Sequence, residues 1–407
     1  TTAGCLLASL LFSCANEQST EKNKSQPSLD SFSQNIQQKL VPIRLNDQQL
    51  SEEGLAKFAN KLSNVKILGL GEQTHGAGNV FSLKVDLIKY LHQEHNFDLF
   101  ILESGLYDVE KIYQQAKQGQ RIKDIAPGNI FYMYANSEEV TPLFDYINEQ
   151  ANTDNPLMLV GFDSQHTGGL SNKGLVSDLT NALSMIDSTY VKTSDWQALS
   201  EQIQQVLNGS SERLPKLAEQ QFFSQLDQLS SQFSSHNKGF WLRITESLKA
   251  QAKRQWKIQD NRSREMGENI NFWASQYPDK KIIVWAHTWH LTKKGNEQVN
   301  AGEVVSKRHK EKYFMAHFSG EKGNYLDFID LGIKGVTDIT PQSVEAITQQ
   351  HSNSAISFID MANLPLSKSQ SHVFANDYVD TLPSNQWNTY WDGIFILKDI
   401  TPATYTP

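Results

Sequence analysis

The chain has 407 residues, of which 39% are hydrophobic and 20% are charged, and its formal net charge at pH 7 is −8. This composition is that of an ordinary globular protein, with enough length for one large α/β domain or two smaller ones. The negative charge argues against nucleic acid as a partner, because phosphate binding requires clustered Lys and Arg. No run of 18 apolar residues occurs, so no membrane-spanning helix is predicted.

The N-terminal segment differs from the rest of the chain. Residues 1–14 are mostly apolar and end in LFSC, and a tract rich in Ser, Gln, Lys, Glu and Asn follows. LFSC resembles the lipobox of bacterial lipoproteins, in which signal cleavage leaves an acylated cysteine, here Cys14, as the first mature residue. An ordinary signal peptide or a disordered tail is the alternative. We therefore expect a signal segment over 1–14, a flexible tether over 15–40 and a folded domain over 41–407.

The same segment indicates where the protein resides and which chemistry it lacks. A lipid anchor at Cys14 predicts the cell envelope, and the absence of Asp after this cysteine favours, by analogy, a Gram-negative outer membrane. Both cysteines, Cys5 and Cys14, lie in this segment. The folded domain therefore has no disulfide, no thiol nucleophile and no thiolate metal ligand.

Six continuous apolar runs predict β-strands, and a weaker seventh run lies near the C-terminus. They cover 66–71, 98–103, 157–163, 281–287, 313–318 and 392–397, with the weaker run at 355–360. Continuous hydrophobicity is typical of strands that are buried on both faces of a parallel sheet. Between the first two runs the apolar spacing is helical, with Asn79 as candidate N-cap, which makes a βαβ unit. We predict an α/β fold with a mostly parallel central sheet flanked by helices.

The stretch from about residue 174 to 275 has a different composition. It is rich in Gln, Ser, Leu and Lys and contains almost no strand-like runs. Segments such as EQQFFSQLDQLSSQF have a helical period. We expect a helical insertion between the third and fourth strands that forms a cap over the sheet.

The segment GLGEQTHGAG, residues 69–78, stands where the first predicted strand ends. It does not match the dinucleotide fingerprint, which requires glycine where Thr74 stands, and the Gly-Lys-Ser/Thr of a P-loop does not follow. The motifs G-x-S-x-G and H-E-x-x-H are absent from the chain. What remains is a carboxylate, Glu72, that can orient the imidazole of His75, the natural proton acceptor near neutral pH. A polar turn that caps a helix is the alternative.

Further acidic, imidazole and amide side chains follow the other predicted strands. They are Glu103 after the second strand, Asp163, Gln165 and His166 after the third, and His287 and His290 after the fourth. Because parallel strands bring their carboxyl ends to one edge of the sheet, where ligands bind in α/β folds, we expect these residues to share one site.

The sequence as a whole resembles the erythromycin esterase family. The resemblance covers roughly residues 45–403, and its motifs identify the family but no particular substrate. The residues that carry it are GEQTHG at 71–76, ILES at 101–104, GFDSQ at 161–165, NRSREMGENI at 261–270 and IIVWAHTWH at 282–290, with a weaker echo in WDGIFILKDITPA at 391–403.

The resemblance implies an α/β hydrolase in which the histidine of the first motif, here His75, activates water against a macrolactone ester. Glu72 matches the motif glutamate, and Glu103, His287 and His290 match further active-site positions. Members of this family are generally held to work without a metal. We therefore expect these five residues to be catalytic and expect no cofactor.

Several positions depart from the family pattern. An arginine is usual nine residues after the motif histidine, and Lys84 stands there, which keeps the charge but loses the two-pronged donor geometry. Arg262 is followed by Ser263 where the family has aspartate, and Thr288 replaces an asparagine. These departures argue against erythromycin itself as the natural substrate. As substrate contacts we expect Lys84, Asp163, Gln165, His166, Arg262 and Trp289.

The chemistry expected is ester hydrolysis by direct attack of water, since no motif places a serine or cysteine nucleophile. His75 takes the proton, Glu72 holds the ring, and His287 or His290 donates to the oxyanion. Three histidines and two glutamates are also adequate ligands for Zn²⁺ or Mn²⁺, so a metal-dependent hydrolase is one alternative. A surface lipoprotein that binds a ligand without turnover is the other. The sequence does not indicate the oligomeric state.

Overall fold

The computed structural model describes residues 29–43, 45–46, 49–50, 52–295, 298–336, 339–364 and 384–407. The expected signal segment with Cys14, and most of the expected tether, lie outside the described residues.

A sheet of eight strands runs through the centre of the domain. Its order is β1-β11-β12-β8-β4-β7-β5-β6, and the strands from β12 to β6 are parallel, while β1 and β11 are antiparallel additions at one edge. All seven predicted strands are confirmed. The strands are β1 Leu40–Ile43, β4 Ile67–Glu72, β5 Leu99–Gly105, β6 Met158–Asp163, β7 Ile282–His287, β8 Tyr313–Gly320, β11 Ile356–Asp360 and β12 Gly393–Leu397. The short pairs are β2 Leu45–Asn46 with β3 Gln49–Leu50, and β9 Asn324–Leu326 with β10 Ile333–Gly335.

Helices cover both faces of this sheet, which confirms the predicted α/β class. Among the described residues, no helix is both long and apolar enough to cross a membrane. The α-helices are α1 Leu29–Lys39, α2 Glu52–Lys61, α3 Gly78–His95, α4 Leu106–Lys117, α5 Ile122–Ile125, α6 Tyr132–Ala135, α7 Thr141–Gln150, α8 Gly169–Ser184, α9 Ser194–Leu207, α10 Lys216–Ser235, α11 Gly239–Gln255, α12 Arg262–Gln276, α13 Thr288–Leu291, α14 Ala301–His309 and α15 Val344–His351. Short 3-10 helices occupy 190–192, 310–312 and 384–389.

Alternate residues of each central strand enter two different hydrophobic cores, which explains why the strands are apolar without alternation. In β4, Ile67 packs into the core that holds helices α8 to α12, whereas Leu68 and Leu70 pack into the core that holds α3 and α7. The predicted helical insertion is therefore present and covers one face of the sheet.

The prediction of a flexible tether over 15–40 is wrong at its C-terminal end, because α1 occupies 29–39. Phe32 and Ile36 of this helix are fully buried, and Ser33 hydrogen-bonds the ring of His351 on α15 at 2.7 Å. The polar residues around these two apolar side chains belong to an amphipathic helix.

Asn79 does not cap α3, contrary to the sequence expectation. The N-cap is Ala77, and Asn79 lies in the first turn of the helix. Its side chain donates to the carbonyl of Asp399 and accepts from the amide of Thr401. The polar residue at the helix start therefore holds the C-terminal segment against α3.

The hairpin formed by β9 and β10 rests directly on the loop that follows β4. The amide of Leu326 donates to the carbonyl of Gly76 at 2.9 Å. A Cβ atom at Gly76 would stand 1.6 Å from the carbonyl oxygen of Leu326, so only glycine permits this approach. The contact brings residues 325–334 of the hairpin to the mouth of the cavity described next.

Candidate active site

The carboxyl ends of the parallel strands surround a cavity of about 1160 Å³. Strands β4 and β7 are neighbours, and their register places Glu72 opposite His287. The ring centroids of His75 and His287 are 5.2 Å apart, so the predicted convergence of distant loops is observed. The cavity is lined by side chains that include Gln73, His75, Glu103, Phe131, Tyr132, Asp163, Gln165, Arg262, His287, Trp289, His290, Tyr325, Asp327, Phe328, Ile329 and Lys334.

His75 sits on the cavity wall with one ring nitrogen already engaged. Its Nδ1 atom is 3.1 Å from Oε1 of Glu72, and the side chain is 10% exposed. The rings of Phe131 and Phe328 contact it edge-on at centroid distances of 4.8 and 5.1 Å. Every hydrogen bond made to His75 by the described residues uses Nδ1, which leaves Nε2 to serve a ligand.

Glu72 lies beneath His75 and is completely buried together with Lys84. Burial on its own would raise the pKa of Glu72, but the ammonium of Lys84 and the ring of His75 lower it to about 2. Oε2 accepts from Lys84, whose ammonium also donates to the carbonyl of Leu70 at 2.9 Å. Glu72 is therefore a permanent carboxylate at neutral pH and orients the imidazole above it.

Tyr134, on the short helix α6, is a site residue that the sequence reasoning missed. Its hydroxyl donates to Oε1 of Glu72 at 2.6 Å and lies 3.2 Å from Nδ1 of His75. Burial and the neighbouring carboxylates raise the pKa of Tyr134 well above its ordinary value, so the hydroxyl keeps its proton. In the sequence, only the aromatic cluster FYMY at 131–134 could have drawn attention to Tyr134. This cluster follows neither a predicted strand nor a glycine-rich turn, so it gives no indication of a functional site.

Glu103 forms the second carboxylate of the site. Its Oε2 accepts the backbone amide of His287 at 2.7 Å, and its Oε1 is 3.2 Å from Nε2 of His290. Burial opposes ionisation, but His290, His75 and Arg262 together hold the pKa of Glu103 far below its usual range. Glu103 therefore links the ends of β5 and β7 as an anion.

Arg262, at the start of α12, is clamped by Asp163 in a two-pronged ion pair. Its Nε and Nη2 atoms donate to the two oxygens of Asp163 at 3.0 and 2.6 Å, and Nη1 is 3.4 Å from Nε2 of His290. Burial alone would lower the pKa of Arg262, but Asp163 and Glu103 raise it above its ordinary value. This ion pair connects the helical insertion to the cavity.

The two histidines of HTWH have different environments. His287 accepts from the amide of Trp289 through Nδ1 and lies 3.0 Å from the carbonyl of Gln73 through Nε2, so its proton resides on Nε2. Burial lowers the pKa of His287 to about 4, which keeps the ring neutral. His290 lies between Glu103 and the hydroxyl of Ser263, which is 3.0 Å from its Nδ1 atom. The expectation that His287 donates to an oxyanion does not fit this arrangement, because its N–H already serves Gln73.

Two expected substrate contacts lie outside the cavity. Lys84 is fully buried under Glu72, so it supports the site and does not touch a substrate. His166 is also fully buried; burial lowers its pKa to about 4, and neither ring nitrogen hydrogen-bonds a described residue. Asp163, Gln165, Arg262 and Trp289 do line the cavity.

The residues with metal-ligand chemistry are Glu72, His75 and Glu103, whose candidate ligand atoms lie within 4.8 Å of one another. The structure describes no other group of three or more such residues at this spacing. Each of the four carboxylate oxygens of Glu72 and Glu103 already accepts a protein donor or lies near the guanidinium of Arg262. A cation would have to compete with these donors.

The fold is that of an α/β domain with a candidate active site at the carboxyl edge of the sheet. The chain belongs to the erythromycin esterase family, because residues 92–390, well over half of its length, match the family model described as "Erythromycin esterase". The match begins after Glu72 and His75, so the role of this pair rests on the geometry above.

Relatives and solved structures agree with this assignment. "Putative hydrolase YbfO" of Bacillus subtilis (strain 168) is 27% identical in an alignment over 400 residues. The alignment covers 88% of this chain and 89% of that protein. A crystal structure described as a succinoglycan biosynthesis protein is 14% identical with a TM-score of 0.73, covering 94% of this chain and 100% of its own. A mutant of the erythromycin esterase EreC in its open conformation is 15% identical with a TM-score of 0.64, covering 89% and 98%. The structures show the shared fold, and the family and the relative support a hydrolase.

The replacement Tyr134→Phe tests the hydroxyl that Glu72 and His75 share. We expect kcat to fall by about 10- to 100-fold, since a hydrogen bond to a charged group contributes about 1.5–3 kcal/mol. KM should change little, because Tyr134 does not line the cavity.

Tyr146→Phe is the matched control for this measurement. The hydroxyl of Tyr146 also bonds a histidine, His92, at 2.6 Å, but this pair does not line the cavity. Steady-state kinetics of the control should resemble the wild type. Equal losses in both variants would mean that Tyr134 acts only through packing.

The pH dependence of activity should report the charge of Lys84. Burial lowers the pKa of Lys84 to about 8 despite the pull of Glu72. The ammonium is therefore present below about pH 8 and is lost as the pH rises through that value, which deprives Glu72 of a donor. We expect kcat to decline on the alkaline side with a midpoint near this pKa. In Lys84→Arg, whose cation persists to much higher pH, the midpoint of this decline should move to higher pH. A midpoint that does not change would mean that another group causes the decline.

Proposed function

We propose that the protein hydrolyses an ester bond by His75-activated attack of water. The observation that carries this proposal is the geometry of His75 on the cavity wall. Nδ1 is held by a buried carboxylate, and Nε2 has no partner among the described residues. A positioned imidazole of this kind is the usual general base in proteins.

The reaction then proceeds in two proton transfers. Nε2 of His75 takes a proton from water while the water oxygen bonds to the ester carbonyl carbon, which gives a tetrahedral oxyanion. The intermediate collapses by breaking the bond to the alcohol oxygen, and the same imidazolium returns its proton to that oxygen. The products are a carboxylic acid and an alcohol. Glu72 stabilises the imidazolium throughout, because it stays ionised.

Arg262 is the residue best suited to stabilise the oxyanion. A guanidinium has five N–H donors. The bonds to Asp163, the ion pair with Glu103 and the contact with His290 engage at most four of them. At least one donor on Nη1 is therefore left for a ligand, and preorganised donors of this kind contribute several kcal/mol to acyl transfer.

We further propose that this hydrolysis uses no metal. Lys84 neutralises Glu72, and the two oxygens of Glu103 already meet the amide of His287 and the ring of His290, so a divalent cation would have to displace these contacts. The metal-dependent alternative predicts that chelation abolishes activity. A non-catalytic binder, the other alternative, predicts ligand binding without release of acid.

Replacing His75 by alanine should reduce kcat by about 100- to 10,000-fold on any ester that the wild type cleaves, which is the usual value of one positioned base. The measurement is acid release from a panel of lactones and aryl esters. His236→Ala is the matched control, since His236 is exposed at the end of α10, and its activity should equal that of the wild type.

Three outcomes would contradict this account. Undiminished hydrolysis in His75→Ala would exclude His75 as the base, and loss of wild-type activity after exhaustive chelation, restored by Zn²⁺ or Mn²⁺, would favour the metal-dependent alternative. Ligand binding that is equal in wild type and variant, with no acid released from any ester, would favour the binder.

We also propose that Cys14 carries a lipid that anchors the protein in the cell envelope, in the outer membrane of a Gram-negative cell. The support is the LFSC sequence at 11–14. Cys14→Ser should move the protein from the membrane to the soluble fraction and abolish its labelling by radioactive palmitate. Cys5→Ser is the control and should leave both unchanged. Retention of label in Cys14→Ser would contradict the proposal.

A further inference from the structure

Part of the cavity wall is apolar and is built by two segments outside the strand ends. Residues 130–132, just before and at the start of α6, meet the tip of the β9–β10 hairpin there. The hydroxyl of Tyr132 donates to the carbonyl of Phe328 and ties the two segments together. The charged groups Glu103, Asp163 and Arg262 come from the strand ends and α12, and the two charged lining residues of the hairpin, Asp327 and Lys334, pair with each other at 2.8 Å. The cavity therefore offers both polar and apolar surface.

His75 lies where this apolar wall begins. Its ring is in edge contact with Phe131 and Phe328, whose own centroids are 6.3 Å apart. A bond cleaved next to Nε2 of His75 would therefore have the aromatic rings immediately on one side. The group attached on that side must be apolar to gain from the contact.

Ile329 continues the apolar wall outward from Phe328. It lines the cavity, yet its side chain is 79% exposed, and Tyr132 beside the hairpin is 36% exposed. Exposed apolar surface that is continuous with a cavity marks a ligand-binding groove more often than isolated exposed residues do. Covering Ile329 would remove this surface from water.

The hairpin register separates the two faces of this element. Paired residues of an antiparallel ladder share a face. Tyr325 pairs with Lys334, and both line the cavity, whereas Leu326 pairs with Ile333. Ile333 therefore lies on the face away from the cavity, although it is the same residue type and is 60% exposed.

We propose that the substrate is an amphiphilic ester with an extended alkyl chain, and that the chain lies along Phe131, Phe328 and Ile329. This inference rests on the proposed ester hydrolysis and defines its substrate class. The other part of the substrate carries polar groups that meet Asp163, Arg262 and His290. The alkyl chain continues from His75 over the aromatic rings and leaves the cavity across Ile329.

The test compares two esters with the same leaving group, 4-nitrophenyl butyrate and 4-nitrophenyl octanoate. In the wild type we expect KM for the octanoate to be about tenfold lower, a difference of about 1.4 kcal/mol. The added methylenes would lie against the apolar wall. In Ile329→Ser this advantage should shrink to about twofold, while KM for the butyrate stays within twofold of the wild type.

Ile333→Ser is the matched control and should keep the full tenfold advantage. An advantage that persists in Ile329→Ser would overturn the proposal. Equal losses in both variants would overturn it as well, because the hairpin would then act as a general apolar surface for a protein partner or a membrane. The two residues are largely exposed, so neither change should affect folding.

A binding measurement separates this proposal from the proposed function. Octanoyl anilide and butyryl anilide have the same acyl chains but resist hydrolysis, and their Kd values can be measured by titration calorimetry. The same tenfold preference, lost only in Ile329→Ser, would support the alkyl site even if no ester were cleaved. Equal Kd values for the two anilides in the wild type would refute it, whatever the catalytic result.

Discussion

The ion pair between Lys84 and Glu72 is the interaction on which the rest of the site depends. Both side chains are completely inaccessible to solvent, and a buried charge without a partner costs about 3–5 kcal/mol. The ammonium is further held by the carbonyl of Leu70 and lies 4.9 Å from the ring centroid of Trp285. This environment keeps Glu72 ionised beneath His75, where a carboxylate without compensation would take up a proton. The chemistry proposed for His75 therefore depends on a lysine that is buried away from the cavity.

The strand order explains why these groups meet. Strand β4 lies between β8 and β7, so the loop carrying His75 opens beside the end of β7, where His287 stands. Glu103, at the end of the neighbouring strand β5, accepts a hydrogen bond from the amide of His287. Arg262, at the start of α12, joins this group through its ion pair with Asp163 at the end of β6. Each group comes from a different element, and the parallel sheet supplies their common edge.

Much of this arrangement could be predicted from the sequence, for identifiable reasons. Strands buried on both faces leave continuous apolar runs, and polar residues at their ends stand out against these runs, as Glu103 and Asp163 do. Features that depend on three-dimensional packing were not visible. Lys84 is buried because its ammonium reaches Glu72 and the carbonyl of Leu70 on β4. An exposed helical lysine would give the same sequence pattern. Tyr134 sits on a helix of one turn, which is too short to show a period.

The tautomer of His75 tests the central claim most directly. If Glu72 prepares this ring as a base, the neutral imidazole carries its proton on Nδ1, directed at Glu72, and leaves Nε2 unprotonated for water. NMR of the protein labelled with ¹⁵N-histidine, with the signal assigned by its loss in His75→Gln, distinguishes the two tautomers. The account predicts a protonated Nδ1 that scalar or through-space couplings connect to the carboxylate of Glu72. A neutral ring protonated on Nε2 would contradict it, because the atom facing the substrate could not then accept a proton.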